Sequence, residues 1–163
     1  MNLASLDMQS PAFQPGTSIP RRHAYLGEGR NISPPLSWPA PPPGTREQVL
    51  LCEDPDAPGD EPWVHWVVYG IPPGITAMDE GQPSGWEELE RAGGARQGLN
   101  SWGEVGWGGP LPPSGHGLHH YHFRLYALDV PTDLPAGASL DELQERIEGH
   151  VIGRGELVGT YER

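Results

Sequence analysis

Apolar residues in this chain gather in short runs bounded by proline and glycine. Val49-Leu50-Leu51-Cys52, inside the segment Glu47 to Glu53, is continuous and reads as a strand buried on both faces. Val64-His65-Trp66-Val67-Val68-Tyr69-Gly70-Ile71 is a second strand, rich in branched and aromatic residues, and Pro72-Pro73-Gly74 stops it. Tyr121 to Leu128 is a third. Near the start, Leu3, Ser5, Asp7 and Gln9 alternate with Ala4, Leu6 and Met8, which predicts an edge strand over residues 3–9. Glu156 to Tyr161 predicts a last strand. Helical spacing shows in Leu140, Leu143, Ile147 and Val151, behind the capping box Ser139-Leu-Asp-Glu142. That predicts a helix over about 140–152, stopped near Gly153. Ser84 and Glu87 have the same spacing and predict a short helix from Gly85 to Arg91, ended by Gly93-Gly94. Residues 10–46 and the rest of 74–102 read as turn and loop. Strands outnumber helices, so the expected fold is mainly β (α+β), a single domain over residues 1–163.

Charge narrows the partners. The net charge is -12, and nonspecific nucleic-acid binding needs a basic footprint. All 10 basic residues are arginine. Without lysine, neither Schiff-base nor Walker-type phosphate chemistry is available. The single Cys52 forms no internal disulfide, and its apolar neighbours make it a buried inert thiol. The opening Met1-Asn-Leu-Ala-Ser-Leu-Asp lacks the pattern of a signal peptide, and no segment is long enough to span a membrane. No basic amphipathic helix is visible either, so stable membrane association is not expected. A soluble cytoplasmic protein is. The stretch from Pro34 to Pro43 has two readings: a polyproline ligand for a partner domain, or an ordered loop packed by Leu36 and Trp38. A linker would not usually carry a tryptophan, which favours the second.

Candidate chemistry lies in three places: Asp54-Pro55-Asp56-Ala57-Pro58 after one strand, His65 on the next, and His116/His119/His120/His122 where a glycine-proline loop opens the third. No Gly-x-Ser-x-Gly elbow and no His-Glu-x-x-His occurs. On a strand, His120 and His122 share one face while His119 and Tyr121 share the other, so one metal ion would not easily collect the cluster. No metal or cofactor is expected. The acidic-proline turn either holds a carboxylate in a cleft or is an ordinary Asx turn, and either X-Pro bond could be cis.

These segments also carry a resemblance. Asp54-Pro-Asp-Ala-Pro58, Val64-His-Trp-Val-Val68, Gly109-Pro110-x-Pro112-Pro113 and Gly117-x-His119-x-Tyr121-x-Phe123, in this order, resemble the phosphatidylethanolamine-binding protein family, and within it the bacterial and archaeal Raf-kinase-inhibitor-like branch. Asn31-Ile-Ser-Pro-Pro-Leu-Ser-Trp38, Gly149-His-Val-Ile152 and the ending Glu156 to Tyr161 extend it over nearly the whole chain. The resemblance implies a central antiparallel Greek-key sheet, a smaller second sheet and peripheral helices. It also implies a small pocket for phosphate or phosphorylethanolamine, built from Asp54, Asp56, His65, Gly109, Pro110, His119 and Tyr121. A kinase or other partner protein and a homodimer are implied partners.

Residue chemistry suits that assignment. His65, His119, the Tyr121 hydroxyl and backbone N–H groups near Gly108-Gly109 are expected donors for an anion, with the carboxylates orienting the imidazoles or meeting an ammonium. A non-enzymatic ligand-binding protein follows. The alternative is an acid–base hydrolase using Asp54, Asp56, His65 and His119. The chain departs from the branch pattern at Trp107, Leu111 and His120, where tyrosine, cysteine and arginine are common, and the last change removes a permanent cation.

Overall fold

The computed structural model describes residues 3–163. Strands β1 (Ala4–Ser5), β2 (Leu36–Ser37), β3 (Glu47–Asp54), β4 (Trp63–Ile71), β5 (Ala77–Met78), β6 (Arg96–Gln97), β7 (His119–Leu128) and β8 (Val151–Tyr161) are joined by one α-helix, α1 (Leu140–Ile147), and two 3-10 turns, Arg21–His23 and Glu90–Ala92. Six strands form the main sheet in the order β1-β8-β7-β3-β4-β6, and β2 pairs with β5 in a second, two-stranded sheet. All main-sheet pairings are antiparallel except that of β1 with β8, which is parallel. The chain makes the β3–β4 hairpin, then returns by a long connection to lay β7 on the other edge of β3.

The continuous apolar run made β3 the central strand: every residue from Glu47 to Asp54 is buried. Its two faces serve two cores. Leu50 and Cys52 pack with Trp66, Phe123 and Leu125, whereas Val49 and Leu51 pack with Val67, Tyr69 and, from α1, Leu143 and Ile147. Burial pushes the Cys52 thiol pKa well up, so it stays protonated and inert. A carboxylate in such a strand needs partners. Glu47 finds them across the sheet: Oε2 accepts from Gly70 N–H at 2.8 Å and from Thr132 Oγ1 at 2.7 Å, and Oε1 accepts from Thr132 N–H at 2.9 Å.

Several expectations need correction. The segment Gly85 to Arg91 is not helical. Gly85 has φ 116, outside the helical region, and its N–H is spent on Val105 O. Only the 3-10 turn Glu90–Ala92 forms, capped by Gly93 at φ 68. The later capping box does form, reciprocally between Ser139 and Glu142, but α1 ends at Ile147 instead of near residue 152. Gly149 turns the chain with φ 80, and Val151 is claimed by β8 through its pairing with Leu128. The last strand therefore starts five residues before its predicted Glu156. Among the described residues no peptide bond is cis. The proline stretch is an ordered loop: Leu36 and Trp38 are buried, and Trp38 Nε1–H donates to Gln48 Oε1 at 2.9 Å. No helix among the described residues is long and apolar enough to cross a membrane.

The Glu47 network yields a prediction. Glu47→Ala strands the buried N–H and hydroxyl of Thr132 and the half-buried N–H of Gly70. It is expected to lower unfolding free energy by about 3 kcal/mol, read from the urea midpoint; a loss under ~1 kcal/mol would mean that water replaces the carboxylate without penalty.

Candidate functional site

Register builds the site. Because β3 runs antiparallel to both neighbours, its C-terminal end meets the starts of β4 and β7, with Asp54 paired to Trp63 and Glu53 to His122. Three motifs far apart in sequence thereby reach one end of the sheet. Strict alternation would turn His65 away, since Trp66 already points into the main core. The β3–β4 ladder slips here instead: Cys52 pairs with Trp66 but Glu53 with Val64. His65 is the extra residue of a β-bulge, which re-aims its side chain.

The result is a cavity of about 310 Å³ with Asp54, His65, His119 and Tyr121 on its wall. Trp63 and Trp102 flank it, and Ala57, Pro58, Leu111, Pro112 and Pro113 complete the lining. The two indoles meet edge to face at 5.4 Å, and Trp102 stacks on Tyr25 at 4.3 Å.

A hydrogen-bonded chain runs from the wall to solvent. Asp54 Oδ2 accepts from His119 Nδ1 at 2.6 Å, and His119 Nε2 meets Nδ1 of the exposed His116, also at 2.6 Å. Asp54 Oδ1 accepts Asp56 N–H at 2.8 Å. The acidic-proline turn is thus an Asx turn and also places a carboxylate in a cleft. His65 Nδ1–H donates to Gly108 O at 2.6 Å. Burial lowers the His65 pKa to about 4, against the raising effect of that carbonyl, so the ring is neutral at pH 7. The Tyr121 hydroxyl is buried without a partner, and burial pushes its pKa far up.

The expected site residues divide accordingly. Asp54, His65, His119 and Tyr121 converge. Asp56 is exposed beside the cavity, where Oδ2 accepts from both the backbone N–H and Nδ1 of His120 at 2.8 Å. Burial would raise the Asp56 pKa, but the bonds from His120 outweigh it and hold the carboxyl below its usual range. Gly109 and Pro110 lie outside the lining. Gly109 is packed so tightly that a β-carbon would stand 1.9 Å from His23 O, and Pro110 O accepts from Tyr25 N–H. The backbone donors expected here are already used: Gly108 N–H goes to His65 O at 2.9 Å and Gly109 N–H to Asn31 Oδ1 at 2.8 Å. His65 is likewise oriented by a carbonyl and not by a carboxylate. Among the described residues no three His, Cys, Asp or Glu side chains are placed to hold a metal ion.

Sequence reasoning missed two contributors. Asn31, given no role by the sequence beyond the resemblance, adopts φ 53 and clamps the glycine loop through Gly109 N–H and Trp107 O. Asparagine is among the few residues that tolerate that conformation, which was the available signal. His116, named in the sequence only as a member of the histidine cluster, is the hydrogen-bond partner of His119.

Comparison with known proteins agrees with this architecture. The family described as phosphatidylethanolamine-binding protein matches residues 9–162, and the chain belongs to it. A UPF0098 protein of Methanothermobacter thermautotrophicus is 44% identical over 97% of this chain and 99% of its own length. The crystal structure of Escherichia coli YbcL, described as a member of the mammalian PEBP family, superposes with a TM-score of 0.89 at 30% identity, covering 98% of this chain and 99% of that one. A Mycobacterium tuberculosis relative bearing a lipoprotein name, LppC, is 40% identical over 96% of this chain and 72% of its own. None of these names denotes a reaction.

Two outcomes follow from the buried groups. The Tyr121 hydroxyl has no partner to lose, so Tyr121→Phe is expected to match or exceed wild-type stability, by up to ~1 kcal/mol in denaturant unfolding; a clear destabilisation would reveal a hidden partner. For His65 the folded pKa of about 4 lies below the ordinary ~6.5, so between these values the unfolded chain binds more protons. Its contribution is complete above pH ~6.5 and is lost as pH falls toward 4. His65→Asn should flatten the fall in stability across that window, and parallel pH profiles for variant and wild type would contradict the assignment.

Proposed function

We propose that the cavity binds a small phosphorylated or otherwise anionic group, phosphate or a phosphorylethanolamine-like ligand, in a cytoplasmic protein that works by binding and not by turnover. The Asp54–His119–His116 chain, beside the unpartnered Tyr121 hydroxyl, carries this reading. No arginine lines the cavity, so positive charge has to arrive as a proton. One proton added to the His119–His116 pair makes it cationic. An anionic oxygen then meets the charged pair and the Tyr121 O–H, while an ammonium end finds a carboxylate at Asp54 or Asp56. Membership of the family supports ligand binding as the activity.

The same chain has the form of an acid–base relay, which favours a hydrolase as the second reading. Against it, the lining contains no serine, threonine or cysteine, and the Tyr121 hydroxyl resists ionisation. A kinase or other protein docking at the rim, and pairing of two copies, belong to the first reading. Trp63 at the cavity offers an exposed apolar contact for docking, and Leu26, Trp86 and Leu118 are further exposed apolar side chains that pairing could use.

Calorimetry with phosphorylethanolamine at pH 6 and pH 8 tests the proposal. Binding should be roughly tenfold tighter at pH 6 and lost in His119→Ala. Equal affinity at the two pH values, or an unaffected variant, overturns it. Turnover of a phosphomonoester that is lost in His119→Ala would establish the hydrolase reading instead.

A further inference from the structure

The polar side chains around the cavity are unequal in kind. A carbonyl only accepts, so the bond from His65 Nδ1 to Gly108 O fixes the ring proton on Nδ1. Nε2 then presents a lone pair, and it has no protein partner among the described residues. Asp54 accepts at both oxygens and keeps further lone pairs. Both His119 nitrogens are engaged, one by Asp54 and one by His116. Beyond the indole N–H groups of the partly exposed Trp63 and Trp102, the Tyr121 O–H is the one unengaged donor among the lining side chains. Neither arginine nor lysine lines the cavity. A fully ionised oxyanion would therefore face the His65 lone pair across a short gap, with no proton between them.

We propose that the cavity takes its ligand in an acid form: phosphate or a phosphomonoester that keeps one proton and donates this P–OH to His65 Nε2, while another of its oxygens accepts from Tyr121 O–H and its remaining negative charge lies beside the protonated His119–His116 pair. The inference rests on the anion-site reading above. It adds a rule of selection. A phosphomonoester has a second pKa near ~6 and carries the proton readily just below neutrality. Sulfate and phosphodiesters do not carry it. The head group of an intact phospholipid is a phosphodiester, so the rule assigns the site to soluble phosphomonoesters over lipid head groups. The low His65 pKa supports the same arrangement, because the ring remains an acceptor through the pH range where the ligand is an acid.

The test uses the full chain and calorimetry at pH 6. Inorganic phosphate and methyl phosphate are expected to bind. Sulfate and dimethyl phosphate are expected to be at least ~100-fold weaker, since a buried acceptor left without its proton discriminates strongly. Phosphorylethanolamine should bind and glycerophosphoethanolamine should not, which separates the soluble source from the lipid one. In His65→Gln, whose amide can donate, the preference for phosphate over sulfate should narrow to under ~10-fold. Sulfate, dimethyl phosphate or glycerophosphoethanolamine binding as tightly as its monoester counterpart overturns the acid-form rule and leaves the anion site standing. Failure of every one of these compounds to bind overturns both. The ligand series alone decides the matter if His65→Gln does not fold.

Discussion

Asp54 is 3% exposed at the end of the most buried strand, and a carboxylate in that position has to be satisfied. Much of the cavity follows from that demand. Oδ1 is met by Asp56 N–H, which fixes the acidic-proline turn. Oδ2 is met by His119, which fixes that ring and leaves its far nitrogen for His116. The bond to His119 would not exist if β7 were not laid against β3 with Glu53 opposite His122. The sheet register and the electrostatics of the site are thus one constraint expressed twice.

The strands were legible because their signals are local. A continuous apolar run is buried wherever it lies, and β3 is buried along its whole length. Alternation at His119 to His122 correctly separated inward from outward histidines, since a strand has a fixed period. The family resemblance, resting on ordered motifs, carried the mainly β fold and its second sheet. What stayed hidden depends on partners. Ser84-Gly-Trp-Glu87 and Ser139-Leu-Asp-Glu142 look alike as caps, yet only the second starts a helix. Gly85 N–H has a tertiary partner in Val105 O, and its backbone is drawn to a conformation no helix accepts.

Within the site the same distinction holds. The residue types at positions 54, 65, 119 and 121 announced a polar cluster, but not what each atom offers. His65 became an acceptor because Gly108 O holds its proton, and the glycine amides were spent on His65 O and Asn31 before any ligand could use them. Gly109 and Pro110 matter as packing beneath the loop, where the backbone of His23 to Tyr25 comes too close for any side chain at position 109. The cationic position lost at His120 lies outside the cavity lining, where that imidazole holds Asp56.

The bulge at His65 separates what holds the sheet from what equips the cavity. Excising that one residue would restore regular pairing at this end of the ladder, with Val64 and Trp66 keeping their places opposite Glu53 and Cys52. The protein could then lose its acceptor without losing its architecture. In a lineage, such a deletion would pass any filter that judges only folding, so chains of this shape need not share this chemistry. Whether position 65 is occupied and bulged is the feature by which relatives should be sorted before a ligand is assigned to them.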